Sequence, residues 1–266
     1  MEEPRIPTTH TASETVKPLA WETNSSGIIG LVDLTDLSST CTDEDVERLC
    51  SRAVEHRTAA VCVWPRFVKL ARTNLAGPSG PGLATVVNFP HGNDEVDDVL
   101  RAVELAVIDG ADEIDVVVPY TSLLAGDLAP TARMLNALTA QLAGAKVRTK
   151  AILESGALEI GHVELATKIA VDAGIDFVKT STGKHTYGAS LDDVWTILRT
   201  IQHCGSHTTG VKVSGGVRTT ADARRYLHLV SAVMGEGWIT KNSFRFGASG
   251  LLDALLETGE HTGGGY

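Results

Sequence analysis

Apolar residues along this chain gather into eight short runs, at 28–32, 59–63, 83–87, 113–118, 149–153, 176–179, 210–213 and 243–247. Within a run Val, Ile and Ala are nearly continuous rather than alternating with polar residues, which predicts parallel strands covered on both faces. The starts recur at about thirty residues, the size of one strand-plus-helix unit. The intervening stretches carry helical spacing and helix starts. Thr42 with Asp45 reads as a capping box ahead of Val46, Leu49 and Val54, and Asn93 as the cap of a helix through Val96, Leu100, Val103 and Val107. Ser190 precedes Leu191, Val194, Ile197 and Leu198, and Thr219 or Thr220 opens a segment through Tyr226 and Leu229. Eight such units predict a single α/β domain, a (β/α)8 TIM barrel over residues 21–258. A doubly wound open sheet is the alternative, because counting strands does not show closure. No Gly-x-Gly-x-x-Gly follows the first run, which argues against its dinucleotide-binding version. Residues 1–20, polar and without periodicity, are expected to form a flexible N-terminal arm, and the glycine-rich residues 259–266 a flexible tail.

Length and composition narrow the function. A chain of 266 residues with 43% hydrophobic and 21% charged content fits a globular enzyme with a sizeable core. The net charge of -10, with no run rich in Lys or Arg, argues against nucleic-acid binding. No apolar run approaches the roughly 18 residues that span a bilayer, and the acidic start Met1-Glu2-Glu3-Pro4-Arg5 does not read as a signal peptide. Cys41, Cys50, Cys62 and Cys204 lack Cys-x-x-Cys spacing and read as reduced thiols of a cytoplasmic protein. The nine histidines are scattered, with no paired-ligand spacing, so no metal site is expected.

The chemistry sits where strands should end, which in a parallel barrel is the active-site face. Lys179 closes an apolar run and leads into Thr180-Ser181-Thr182-Gly183-Lys184. A poorly hydrated ammonium there should lose basicity and become a Schiff-base nucleophile. Taken alone, Lys179 reads sooner as a lysine that snorkels beside a helix cap than as a nucleophile. Lys212 on the next strand, at a comparable distance from the strand end, shifts that balance, since two adjacent lysines repel and burial acts in the same direction. Asp115 is a carboxylate inside an apolar strand, on one face with Val117, and suits either a structural anchor or a catalytic partner. Lys150 and Glu154 on the fifth strand extend this polar layer or neutralise it. The turns Gly215-Gly216 after strand seven and Gly247-Ala248-Ser249 after strand eight occupy the recurrent phosphate position of such barrels.

These motifs resemble the deoxyribose-phosphate aldolase family, in order and over about 28–257. The resemblance rests on Asp33-Leu34-Thr35, Cys62-Val63-Trp64-Pro65-Arg66, Asn88-Phe89-Pro90-His91-Gly92, Asp115-Val116-Val117, Phe177 to Gly183, Lys212 to Arg218 and Phe246 to Ser249. It implies metal-free, cofactor-free retro-aldol cleavage of 2-deoxy-D-ribose 5-phosphate, with Lys179 as the Schiff-base lysine. Lys212 would depress the pKa of Lys179, and Asp115 would shuttle protons with Lys212. Thr182, Gly183, Lys184, Gly215, Gly216, Gly247 and Ser249 would hold phosphate, and Asp33 and Thr35 would line the sugar site. Without the family, the sequence does not say which of the two lysines is the nucleophile. Ser214 stands where the family commonly has Ala, and Gly250 where many members have a second Ser, a change expected to weaken phosphate binding. Tyr266 resembles a terminal Tyr that reaches the site and helps move the C2 proton; the alternative is a disordered tail. The expected partners are small phosphosugars and aldehydes, with a homodimer as the working assembly. Competing readings are another Schiff-base or transaldolase-like barrel, separable by ketose donors, and a non-catalytic phosphosugar-binding barrel.

Overall fold

The computed structural model describes residues 25–260 except 76, 78 and 79. Eight strands alternate with helices, and each strand pairs in parallel with the next. The strands are β1 (Val32–Asp36), β2 (Ala60–Val63), β3 (Gly82–Val87), β4 (Glu113–Val117), β5 (Arg148–Ile152), β6 (Phe177–Lys179), β7 (Gly210–Ser214) and β8 (Phe244–Ala248). Val32–Leu34 of β1 also pair with Phe246–Ala248 of β8, which closes the sheet. The expected barrel is therefore present and the open-sheet alternative is not.

Ten α-helices among the described residues surround the barrel: α1 (Ser25–Ile29), α2 (Asp43–His56), α3 (Val68–Asn74), α4 (Val96–Ile108), α5 (Tyr120–Leu124), α6 (Ala129–Gln141), α7 (Ile160–Asp172), α8 (Leu191–His203), α9 (Thr220–Met234) and α10 (Leu251–Glu260). No described helix is long and apolar enough to cross a membrane. Capping boxes start α2 at Thr42 with Asp45, α8 at Ser190 with Asp193 and α9 at Thr219 with Asp222. The larger apolar core lies between the sheet and these helices; a small second cluster joins Leu37, Cys62, Ala84 and Val86. Burial of the strands' helix-facing Val, Ile, Leu and Phe residues supplies the main driving force for closure.

Three details differ from the sequence-based expectation. The first apolar run is not a strand: residues 25–29 form α1, whose last turn ends with the Leu31 N–H donating to the Ile28 carbonyl at 2.9 Å, and β1 begins only at Val32. A short buried run has the same appearance as helix or strand. Asn93 caps nothing; Asn88 Oδ1 accepts the Asp94 N–H at 2.8 Å, which holds this turn in a non-helical path until Val96. At the other end α10 continues to Glu260, so the first two residues assigned to the tail are helical. The arm at 1–20 lies outside the described residues, as does the rest of the tail.

Candidate active site

One face of each strand points to the barrel axis, and here that face is largely ionic. Asp33 on β1, Glu113 and Asp115 on β4, Lys150 on β5, Lys179 on β6, Lys212 on β7 and Arg245 on β8 are all buried. Strand register brings them together, with Asp115 level with Lys150, and Lys179 level with Lys212. Asp115 is the hub. Its Oδ1 accepts from Lys150 Nζ at 2.6 Å, while its Oδ2 accepts from Lys179 at 2.9 Å and from Lys212 at 2.8 Å. Lys212 also reaches Asp33 Oδ2 at 2.6 Å. Beneath them Arg245 bonds Asp33 at 2.5 Å and Glu113 at 3.3 Å, and Lys150 forms an ion pair with Glu113 at 2.6 Å.

Burial penalises every charge in this layer, so each protonation state turns on the opposite charges available. For Lys179 burial is the largest influence and pushes its pKa down; Asp115 opposes and Lys212 adds a smaller downward push, and the net value lies below the ordinary 10.5. Lys212 is equally buried, yet Asp115 and Asp33 together outweigh that penalty and raise it well above 10.5. Burial would raise Asp115 too, but Lys150, Lys179 and Lys212 hold it far below the ordinary carboxylate range. Against the same penalty, Lys212, Arg245 and Lys150 lower Asp33. Of the two lysines Lys179 is therefore the one that gives up its proton more easily, with an ionised carboxylate and a firmly protonated Lys212 beside it.

Above this layer the strand ends open into a cavity of about 650 Å³ that reaches Lys179. Gly215 and Gly216 turn with φ of 86° and 91°, a left-handed path that glycine takes without strain, the kind of turn whose backbone N–H groups can face an anion. At Gly247 a Cβ would run into Ser214 Oγ and lie 2.8 Å from Lys212 Cε, so glycine is what lets β8 pass Lys212. The β8 loop delivers its residues to the start of α10, where helix N–H groups favour an anion. Lys184 Nζ donates to the Leu37 carbonyl at 2.7 Å, linking the loops after β6 and β1, and Arg218, Arg48 and Arg52 add cations to the lining. A lysine of lowered basicity below, with anion-binding turns and cations around it, is equipped for addition to the carbonyl of a phosphorylated substrate once its proton is lost.

Comparison with known proteins identifies an aldolase family. Residues 28–254 match the model of the DeoC/LacD family aldolases. The chain belongs to that family. The aldolase is similar to the deoxyribose-phosphate aldolase of Agrobacterium fabrum, 42% identical over 230 residues that cover 86% of this chain and 88% of the relative. Among solved structures it resembles a Coccidioides immitis protein provisionally assigned as a deoxyribose-phosphate aldolase, at 28% identity and a TM-score of 0.78, covering 91% and 88% of the two chains. It also shares its fold with a provisionally assigned Toxoplasma gondii deoxyribose-phosphate aldolase, at 23% identity and a TM-score of 0.80, covering 89% and 96%.

Most of the residues singled out in the sequence converge in the aldolase. Lys179, Lys212 and Asp115 are in direct hydrogen-bond contact. Thr35, Thr182, Gly183, Lys184, Gly215, Gly216, Gly247 and Ser249 line the one cavity. Asp33 does not line it; it is fully buried beneath, taken up by Lys212 and Arg245. Lys150 joins the ionic layer, whereas Glu154 accepts the Thr182 N–H at 3.1 Å and so braces the β6 loop. Tyr266 lies outside the described residues. Arg245 and Glu113 escape the sequence reading, although an arginine within Phe244-Arg245-Phe246 carries the same signal as Asp115, a charge inside an apolar strand. Among the described residues no group of His, Cys, Asp or Glu is arranged to hold a metal ion.

Proposed function

We propose that this aldolase reversibly cleaves 2-deoxy-D-ribose 5-phosphate to D-glyceraldehyde 3-phosphate and acetaldehyde through a Schiff base on Lys179, without metal or cofactor. The neutral Lys179 amine adds to the C1 aldehyde. Lys212 gives a proton to the departing carbinolamine hydroxyl, water leaves, and an iminium forms while Asp115 stays ionised between the two lysines. Removal of the C3 hydroxyl proton sends the C2–C3 electron pair into the iminium, releasing glyceraldehyde 3-phosphate and leaving an enamine. Protonation at C2 and hydrolysis then return acetaldehyde and the free amine. In this reading Asp115 and Lys212 pass protons between these steps, and Tyr266 assists at C2. The turns at Gly215-Gly216 and Gly247-Ser249, with Gly183, Lys184 and Thr182, hold the phosphate; Thr35 meets the sugar, and Asp33 acts on it from below through Lys212.

One observation carries the reading: Lys179, at the foot of a cavity built for an anion, has to share its carboxylate oxygen with Lys212. The similarity to the A. fabrum deoxyribose-phosphate aldolase supports the substrate. Borohydride reduction in the presence of acetaldehyde is expected to trap the adduct on Lys179, located by peptide mass spectrometry. An adduct on another residue, or none from an active enzyme, would sink the mechanism. The same reading assigns the protein to deoxyribose phosphate catabolism in the cytoplasm, acting as a homodimer on small diffusible substrates. Sedimentation of the purified chain as a monomer or tetramer would reject the dimer.

A further inference from the structure

Four buried cations, Lys150, Lys179, Lys212 and Arg245, face only three carboxylates, Asp33, Glu113 and Asp115. The cations are not served alike. Lys150 reaches Glu113 and Asp115 at 2.6 Å and Asp33 at 3.8 Å. Lys212 draws on Asp33 and Asp115, and Arg245 on Asp33 and Glu113. Among the described residues Lys179 meets Asp115 alone, on the oxygen already used by Lys212. A buried group with uncompensated charge is costly, and loss of one proton makes this layer neutral. The proton held least firmly is that of Lys179.

We propose that Arg245 and Glu113, which do not reach the cavity, are positioning residues that set how much of Asp115 is left to Lys179, and so whether its amine is free to attack. Arg245 occupies Asp33 Oδ1, so Lys212 shares Asp33 with it, holding only Oδ2, and leans on Asp115 Oδ2 as well. With Arg245 neutralised, Lys212 moves its weight to Asp33, Asp115 turns to Lys179, and the proton stays. Glu113 works in the opposite sense. Without its charge Lys150 falls back on Asp115, and Lys179 loses the partner that stabilises its ammonium.

The remaining surroundings of Lys179 do not alter this balance. On β2 the Cys62 thiol is pushed up by burial and stays neutral, and β3 contributes Ala84 and Val86. Arg148 reaches Glu113 at 3.4 Å, but its side chain is 41% exposed and bonds Asn242, so solvent screens its charge.

This inference rests on the Schiff-base reading, and one experiment separates the two. Cyanoborohydride trapping of acetaldehyde on Lys179 is followed against pH in the unsubstituted enzyme, Arg245→Met, Arg245→Lys, Glu113→Gln and the double variant Arg245→Met/Glu113→Gln. Failure to label Lys179 in the unsubstituted enzyme rejects the Schiff base. With labelling present, the midpoint is expected to rise by roughly one pH unit in Arg245→Met and to fall by a similar amount in Glu113→Gln. Arg245→Lys, which keeps the cation, should stay near the unsubstituted value, and the double variant should return towards it. The downward shift in Glu113→Gln is decisive, because loosened packing admits water and moves any buried lysine upward. Unmoved midpoints, an upward shift in both single variants, or an Arg245→Lys shift equal to that of Arg245→Met would each overturn the proposal. Should Arg245→Met not fold, Glu113→Gln and Arg245→Lys decide the matter.

Discussion

Lys179 and Lys212 donate to the same oxygen of Asp115, at 2.9 and 2.8 Å, yet only Lys179 has a lowered pKa. The difference is Asp33, which forms an ion pair with Lys212 at 2.6 Å. Lys179→Ala should lower kcat by on the order of 10⁴-fold or more while the fold persists, as circular dichroism would show. Lys212→Leu removes a proton donor and a like charge together. Its kcat should fall by roughly 10²–10⁴-fold, and the rising limb of its pH–rate profile should move to higher pH as Lys179 regains basicity. A near-normal rate in Lys212→Leu would mean that Asp115 and burial suffice. Gly247→Ala places a methyl 2.8 Å from Lys212 Cε, so it should cut kcat more than it raises KM. The lysines and Asp115 were legible because each is a charge within an apolar run. That burial outranks Lys212 in depressing Lys179 was not, since exposure depends on the closed barrel and not on neighbours in sequence.

At the scale of elements, local chemistry was readable wherever a side chain closes on its own backbone. Thr42, Ser190 and Thr219 each accept the N–H three residues on, and each helix begins there. Asn93 failed because a side chain five residues earlier captures the turn, and β1 was displaced because Asp33, Thr35 and Asp36 disguise an interior strand as a loop. Polar residues at strand ends are the cost of building a site there, so sequence patterns blur where function concentrates. The α8 capping box offers a test of coupling between elements. Asp193 Oδ2 accepts the Ser190 N–H at 3.4 Å and also the Ser155 hydroxyl at 2.9 Å, which ties α8 to the turn after β5. Ser190→Ala should cost about 1 kcal/mol in urea unfolding, the usual value of a lost cap. Asp193→Ala should cost more, because it abandons the buried Ser155 hydroxyl as well. Equal costs would show that the link to β5 adds no stability.

Closure of the barrel is what converts eight separate strand patterns into one ionic layer, and the stability of the whole molecule should register that layer through pH. Burial favours the neutral form of each carboxylate, but neighbouring cations prevail, and Asp33, Glu113 and Asp115 all lie below their ordinary values of 3.8 for Asp and 4.5 for Glu. The unfolded chain therefore binds more protons than the folded one as acid is added. Their stabilisation is present above those ordinary values and lost as pH falls below them, at roughly 1.4 kcal/mol per carboxylate per pH unit. Lys150 and Lys212, raised above 10.5, contribute stability that is present below 10.5 and is lost only as pH climbs past it. Lys179 runs the other way: between its lowered value and 10.5 the unfolded chain holds a proton that the folded chain has released, so stability rises with pH there. Calorimetry across pH should thus show a Tm that falls steeply on the acid side, beginning near the ordinary carboxylate values. Glu113→Gln should flatten that fall by one carboxylate's share while lowering the neutral plateau, because Lys150 and Arg245 lose a buried partner. A Tm that stays level to about pH 3 would mean that the cations do not hold these carboxylates ionised. Lys179 would then sit in a layer whose charge differs from the one that makes its amine available.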